Sequence, residues 1–252
     1  MVMPIWDHNP FKWPTPPYVM WLLIAVNFAV FFLQAGAGTV EMDRADQIAG
    51  LIPASFSGSV PTLGALPAPL TLITYQFLHA DFWHVFGNMI FLFVFGDDVE
   101  ELLGHWRFLG FYLACGVAAG LAFVLSAPGA KTELIGASGA VAGVIAAYLL
   151  YRPCAKVTVL LGLIPLRIRA FWVIGGWALW QMVEAANRIQ DGVAYWAHVG
   201  GLAAGAGLFV VMRPAGVRLF DCAQPAVLRP ALAESEPGQS YRGHLPPPIP
   251  PR

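Results

Sequence analysis

Charged side chains are scarce in this chain of 252 residues: Asp, Glu, Lys and Arg make up only 12%, about half of the share found in soluble domains. Apolar residues make up 58%, and the mean hydropathy is +0.63. The formal net charge is −1, so no basic surplus indicates binding to nucleic acid. These deficits exclude an ordinary soluble domain and indicate a chain folded largely within a membrane.

Cysteine is also rare, with only Cys115, Cys154 and Cys222 present. They fall in an apolar segment, in a loop and in the C-terminal tail. No two of them are expected together on the outer side of the membrane, where the environment is oxidising. We therefore expect no disulfide bond. We expect no cleavable signal peptide either, because residues 1–17 carry Asp7 and several prolines and no Ala-x-Ala site follows the first apolar run.

Six apolar segments approach the length of about 20 residues that crosses a membrane as a helix. The second is the least regular, since polar and acidic residues interrupt it. We therefore predict an all-α polytopic membrane protein, a six-helix bundle, with spans at about 18–33, 81–102, 106–126, 134–151, 168–186 and 194–212.

The basic residues predict the orientation of these spans, because cytoplasmic loops carry an excess of Lys and Arg. Six spans put both termini on one side. If that side is the cytoplasm, only Arg44, Lys131 and Arg188 lie outside, which leaves 11 of the 14 basic residues inside. The prediction is N-in, C-in.

Three regions are expected along the chain. Residues 1–17 form an interfacial or cytoplasmic lead-in, residues 18–212 form the membrane domain, and residues 213–252 form a proline-rich, disordered cytoplasmic tail. The tail is either inert or a peptide ligand for a partner protein. The first outer loop, about 34–80, is long and apolar, so we expect it to be partly immersed at the outer interface as short helices.

Three polar clusters interrupt the apolar segments, and each is a functional-site hypothesis because polar groups are costly at membrane depth. Under the N-in orientation, all three lie roughly 5–10 Å below the outer surface, about one turn into spans two, four and six. They are centred on His84 with Asn88, on Ser138, and on His198.

Ser138 lies among small residues, with Gly136 before it and Gly139 after it. Such surroundings allow a substrate backbone to approach the hydroxyl, and a helix N-terminus would supply N–H groups to an oxyanion. The alternative is that Ser138 is a helix cap or a small packing residue.

His198 precedes Gly201 and Gly205 by three and seven residues, so the three share a helix face. Small residues on a face indicate close helix contact. Packing against the small face of span four would bring Nε2 of His198 within hydrogen-bond reach of Ser138. The alternative is a structural histidine.

His84 and Asn88 are neighbours at i and i+4, and such side chains can donate to an oxyanion. His79 is five residues before His84, which makes a poor metal pair, and we expect neither a metal nor a cofactor. No carboxylate lies at this depth in spans four or six, so the pattern favours a Ser/His dyad over a triad. Asp81 is a weak candidate for an orienting acid.

Together these segments resemble the rhomboid family of intramembrane serine proteases, and its bacterial, six-helix members in particular. The resemblance covers the membrane domain and depends on three motifs in order: His84-Val-Phe-Gly-Asn88, Gly136-Ala-Ser-Gly139 and Ala197-His-Val-Gly-Gly-Leu-Ala-Ala-Gly205. It implies Ser138 as the nucleophile, His198 as the base, and His84 with Asn88 as the oxyanion site.

The same resemblance implies transmembrane-helix substrates, cut near the outer face, and a bacterial inner membrane with the site on the periplasmic side. The sequence departs from the family in three places. No arginine follows Glu100 at the usual spacing, although Arg107 could substitute. Ala142 stands where some relatives have an aromatic residue against the catalytic histidine, so another residue must hold that ring. The first outer loop lacks the family's Trp-Arg pair.

Two other functions remain open at this point. A non-catalytic rhomboid-like protein would bind client helices, but such relatives usually lose the serine or the histidine. A transporter would be expected to carry charged groups near the bilayer centre, and none is found. Trp172, Trp177 and Trp180 of the fifth span either flank a lateral gate or anchor the interface.

Overall fold

The computed structural model describes residues 2–7, 16–58, 66–187, 192–220 and 222. These residues are mostly helical. The helices are α1 Tyr18–Ala37, α2 Thr39–Ala49, α3 Pro53–Phe56, α4 Ala68–Thr74, a 3₁₀ turn Tyr75–Phe77, α5 Phe82–Leu103, α6 His105–Ser126, α7 Ser138–Tyr151, α8 Ala170–Asn187 and α9 Tyr195–Met212; the strands are β1 Val2–Asp7, β2 Lys156–Leu161 and β3 Ile164–Arg169.

A helix occupies each of the six predicted segments, but fewer of them qualify as membrane spans. By length and composition, three described helices can cross a membrane: α1, α6 and α9. A fourth is added if α4 with its 3₁₀ turn and α5 form one span bent by 85°. The count of six and the N-in, C-in orientation therefore remain predictions.

Helix α7 is the central helix of the fold. Eleven of its 14 residues are buried, and it packs against α5, α6, α8 and α9. A helix of this length does not need to be amphipathic when neighbours surround it on all sides. Its N-terminal residue, Ser138, is therefore held in a fixed position by the packing of α7 against its neighbours.

The start of α1 is fastened to the end of α5. The buried Glu100 carboxylate accepts hydrogen bonds from the backbone N–H groups of Val19 (2.9 Å) and Met20 (2.6 Å), and its Oε1 lies 2.5 Å from Nδ1 of His105. A carboxylate suits this position because the first N–H groups of a helix have no partner within it. Arg107, the residue that could have replaced the family's arginine, is exposed, and it is His105 that contacts Glu100.

The expectation of a purely helical chain was also wrong. Strands β1, β2 and β3 form an antiparallel sheet in that order, with Gly162 at a φ of +65° in the β2–β3 turn. Alternate residues Val157 and Val159 are buried, as in a half-buried strand. The loop between α7 and α8 and the segment 2–7 therefore form β structure together.

A disulfide bond joins Cys154 to Cys222, with their Cα atoms 5.3 Å apart, so the expectation of no disulfide was wrong. The segment after α9 folds back on the bundle, where the N–H of Phe220 donates to the carbonyl of Leu150 at 2.9 Å. Cys115 is free and buried. The predicted tail lies largely outside the described residues, and the division into three regions stays a prediction.

The sheet and the disulfide lie at one end of the bundle. Tyr148, near the end of α7, donates to Asp7 of β1 at 3.1 Å, and Arg152 pairs with Asp98 of α5 at 2.8 Å. The polar residues near the N-terminal ends of α5, α7 and α9 therefore lie at the opposite end from β1.

The segment between α1 and α5 consists of short helices, as expected for the first loop, apart from residues 59–65, which lie outside the described part. Leu51 exchanges two backbone hydrogen bonds with Leu134 (3.0 and 2.8 Å), and Gly136 N–H donates to the carbonyl of Tyr75 at 2.9 Å. The loop thus holds in place residues 134–136, which precede Ser138.

Candidate active site

Ser138 is the first residue of α7 and is half-buried. Gly136, two residues earlier, has a φ of +116°, a backbone conformation that favours glycine. The buried Tyr75, whose carbonyl accepts from Gly136, is itself fixed by its hydroxyl, which donates to the carbonyl of Gly116 at 2.7 Å. Ser138 therefore follows a turn that the hydrogen bond to Tyr75 holds in place, and it begins the buried helix α7.

His198 of α9 lies beside Ser138. Its Nε2 is 2.9 Å from the Ser138 Oγ, and both side chains are half-buried. A hydroxyl that donates to an imidazole nitrogen at this distance has a base positioned to take its proton.

Glycines allow this approach between α7 and α9. A Cβ at Gly201 would collide with the carbonyl oxygen of Gly139, and a Cβ at Gly205 would collide with the backbone of Gly143. The two helices therefore meet backbone to backbone, which side chains of any size would prevent. Gly139, Gly201 and Gly205 act here through their small size.

His84 and Asn88 lie on the other side of the turn before Ser138. A Cβ placed at Gly136 would be 2.8 Å from His84 Nε2 and 3.7 Å from Asn88 Nδ2. The N-terminus of α5 fixes this arrangement, because the Asp81 carboxylate accepts from the backbone N–H of His84 at 2.9 Å. Asp81 therefore caps the helix, and no contact to His198 is found for it among the described residues.

His79 is a member of this cluster that sequence reasoning considered only as a metal partner. It is fully buried; its Nε2 lies 3.1 Å from Asn88 Nδ2 and accepts from the backbone N–H of Ala137 at 3.4 Å. Its ring packs edge-on against His84, with centroids 5.0 Å apart. The signal available in the sequence was a histidine just before α5, and its spacing alone did not indicate these contacts.

Helix α8 supplies the residues that hold the ring of His198, in place of the aromatic residue that Ala142 does not provide. Gln181 Oε1 lies 2.5 Å from His198 Nδ1, and the Trp177 ring lies with its centroid 5.8 Å from that of His198. Trp172 and Trp180 are exposed on the same helix. Gln181 could have been noticed as an amide within an apolar segment, but its partner could not.

Among the described residues, no group of three or more His, Cys, Asp or Glu side chains is arranged to hold a metal ion. The chemistry available is that of a hydroxyl, an imidazole and several N–H donors. The N–H groups in the first turn of α7 have no partner within their helix. Such a set is suited to nucleophilic acyl transfer.

Fold and site together define a membrane-embedded helical bundle with a serine–histidine pair near one end. A family model described as the Rhomboid domain matches residues 68–215, which is more than half of the chain. The chain belongs to the rhomboid family. Its apolar helices and this membership make it an integral membrane protein.

Several named proteins are similar to parts of this chain. Rhomboid-like protein 11, chloroplastic, of Arabidopsis thaliana is 40% identical over 80 residues, 32% of this chain and 28% of its own length. Rhomboid protein 1, mitochondrial, of Saccharomyces cerevisiae is 29% identical over 136 residues, 52% and 38% of the two lengths. A protein of Bacillus subtilis (strain 168), named as a proposed rhomboid protease, is 36% identical over 78 residues. These residues make up 31% of this chain and 39% of the relative's own length.

The matched part of this chain thus spans between 28% and 39% of the length of these curated relatives. Two of the names give a chloroplast and a mitochondrial location. The comparisons therefore do not support the expectation of a bacterial inner membrane, although they agree with a membrane protein.

Proposed function

We propose that this protein is an intramembrane serine endopeptidase that hydrolyses peptide bonds in or near the transmembrane helices of membrane-protein substrates. The observation that carries the proposal is the 2.9 Å contact between His198 Nε2 and Ser138 Oγ. Membership of the rhomboid family and the name of the Bacillus subtilis relative support it.

In the proposed acylation step, His198 Nε2 takes the proton of Ser138 while Oγ attacks the carbonyl carbon of the scissile bond. The resulting tetrahedral oxyanion accepts hydrogen bonds from the Ser138 backbone N–H and from His84 and Asn88. Removing one such donor typically lowers the rate by about 10²- to 10³-fold. The imidazolium then gives its proton to the leaving amine, and the acyl group stays on Ser138.

Deacylation repeats these roles with water as the nucleophile. His198 takes a proton from the water, the hydroxide attacks the ester carbonyl, and Ser138 leaves with the proton returned from His198. Water has to reach the pair, and the partial exposure of both side chains supports such access.

We restrict the location to an integral membrane in which the Ser138 end faces the side away from the cytoplasm. Six spans with both termini in the cytoplasm would give this orientation, since His84, Ser138 and His198 lie at the opposite end of the bundle from β1. The basic-residue distribution supports it.

The alternative is a non-catalytic rhomboid-like protein that binds membrane client helices. The name of the Arabidopsis relative, rhomboid-like, leaves that class open. The retained hydroxyl–imidazole contact favours the enzyme, because a binding protein has no need of a base at this position.

Cleavage of a reporter containing one transmembrane helix, reconstituted with the protein in lipid vesicles, tests the proposal. Ser138→Ala is expected to abolish cleavage. Ser126→Ala is the matched control, since Ser126 is exposed at the end of α6 and its hydroxyl donates to the carbonyl of Phe123 in its own helix. Undiminished cleavage by Ser138→Ala would overturn the proposal.

A further inference from the structure

We infer that Gln181 is a positioning residue for the catalytic base: its side-chain oxygen accepts the Nδ1 proton of His198 and so holds the ring with Nε2 toward Ser138. This inference rests on the proposed function. It extends the expected two-residue site to a hydrogen-bonded chain of three residues: Ser138 of α7, His198 of α9 and Gln181 of α8.

The geometry around the imidazole carries the inference. Gln181 is only 3% exposed, and its Oε1 lies 2.5 Å from His198 Nδ1. On the opposite edge of the same ring, Nε2 lies 2.9 Å from the Ser138 hydroxyl. The ring thus bridges a buried acceptor and the nucleophile.

The contact selects one tautomer of the histidine. A neutral imidazole carries one N–H, and an amide oxygen can only accept a hydrogen bond. Pairing with Gln181 Oε1 therefore puts the proton on Nδ1 and leaves the lone pair of Nε2 free to accept from Ser138. The opposite tautomer would present an N–H to the hydroxyl and could not take its proton.

Trp177, one turn earlier on α8, completes the support by lying against the ring, with the two ring planes inclined at 38°. At the position where some relatives have an aromatic residue, α7 carries only the methyl group of Ala142, which is fully buried. Orientation of the base is therefore a property of α8, and a movement of α8 away from α9 would release the ring. An uncharged amide orients the ring without adding the negative charge that a carboxylate would bring.

Kinetics of three variants test this role. Gln181→Met keeps the length of the side chain but removes the acceptor, so kcat should fall by about tenfold or more with KM little changed. Gln181→Glu keeps an acceptor and should retain most of kcat. Met182→Leu, at an exposed neighbour on α8, is the control and should behave as the parent protein.

The pH profile tests the contact between residue 181 and the ring of His198. A carboxylate in Gln181→Glu would favour the imidazolium, so the acid limb of kcat/KM should move to higher pH, because the base must be neutral to act. A side chain at position 181 that does not contact His198 Nδ1 would leave that limb unmoved. An unmoved limb together with an unchanged kcat in Gln181→Met would overturn the inference.

A spectroscopic measurement keeps the inference testable even if no substrate is cleaved. Ring nitrogen-15 shifts of His198 in detergent, assigned by comparison with His198→Ala, should show Nδ1 protonated and Nε2 unprotonated in the parent protein. Gln181→Met should show a mixture of tautomers while retaining the parent's helical circular dichroism. The same single tautomer in Gln181→Met would contradict the role of Gln181. If the parent protein itself cleaves no reporter, that result would instead count against the proposed function.

Discussion

Gly201 of α9 lies against the backbone carbonyl of Gly139 in α7, so closely that no side chain fits between them. His198 is three residues before Gly201, and Ser138 directly precedes Gly139. The contact between two glycines therefore sets the separation of the hydroxyl and the imidazole, and it connects helix packing to the proposed chemistry.

Gly201→Ala should force α7 and α9 apart. Overpacking of this kind lowers the free energy of unfolding by about 1–3 kcal/mol. A separation of about 1 Å between the reacting groups can lower the cleavage rate by about 10²-fold. Thermal unfolding in detergent and reporter cleavage measure the two effects. Gly207→Ala on the same helix, where an added Cβ meets nothing within 4 Å, should be neutral in both; equal behaviour of the two variants would contradict the account.

Gly136→Ala should weaken the proposed oxyanion site. Its φ of +116° strains any residue with a Cβ, and the added carbon would displace the ring of His84, whose Nε2 would lie at 2.8 Å. We expect kcat to fall by about 10²-fold, as for loss of one oxyanion donor, with a smaller change in KM. Gly129→Ala, in an open turn, is the matched control, and a kcat equal to that of Gly129→Ala would argue against the assignment of His84.

Stability should depend on pH through Asp7. Burial, followed by the hydrogen bond and the negative charge of Asp98, raises the pKa of Asp7 to about 8. In the unfolded chain the pKa is near its ordinary value of about 3.9. Between these values the folded state binds more protons than the unfolded state, so the free energy of unfolding should fall as pH rises from about 4 to 8.

The loss is at most about 1.4 kcal/mol for each pH unit in that window. Asp7→Asn should flatten this dependence, whereas Glu41→Gln, at an exposed position on α2, should leave it unchanged. Chemical unfolding curves of the parent and of both variants, measured between about pH 4 and pH 8, give the free energy of unfolding that tests this prediction. An equally steep dependence in Asp7→Asn would show that Asp7 is not its source.

The disulfide offers a test of orientation. The N-in, C-in arrangement puts Cys154 and Cys222 in the cytoplasm, where thiols are normally kept reduced. In intact cells, rapid alkylation should therefore find both thiols free, and the bond should close after purification without reductant. Gel-shift labelling in a Cys115→Ser background would measure both states. A closed bond in the cell would contradict the proposed orientation.

The approach of α7 and α9 could be predicted from sequence because glycines at a helical spacing have few other uses on one face of an apolar helix. The partner of Gln181 could not, since one amide in an apolar segment leaves the rotation of α8 undetermined. The role of His105 could not be predicted from the family pattern, which has an arginine near this position, whereas α1 needs only a side chain that holds Glu100 in place.

The sheet and the disulfide were missed for a different reason. Strands β1 and β2 are only six residues long and pair across a sequence separation of about 150 residues, which no local pattern reveals. Cys154 and Cys222 are 68 residues apart, and the composition of the tail gave no sign that its first residues fold back. Contacts of this range depend on the assembled bundle.

The most direct test of the central claim is covalent labelling of Ser138 by a fluorophosphonate, located by mass spectrometry of the detergent-solubilised protein. An activated hydroxyl should give one adduct, on Ser138, and His198→Ala should reduce its rate of formation by at least about 10²-fold. A Ser138 that remains unlabelled in the folded protein, or that labels as fast without His198, would contradict the account.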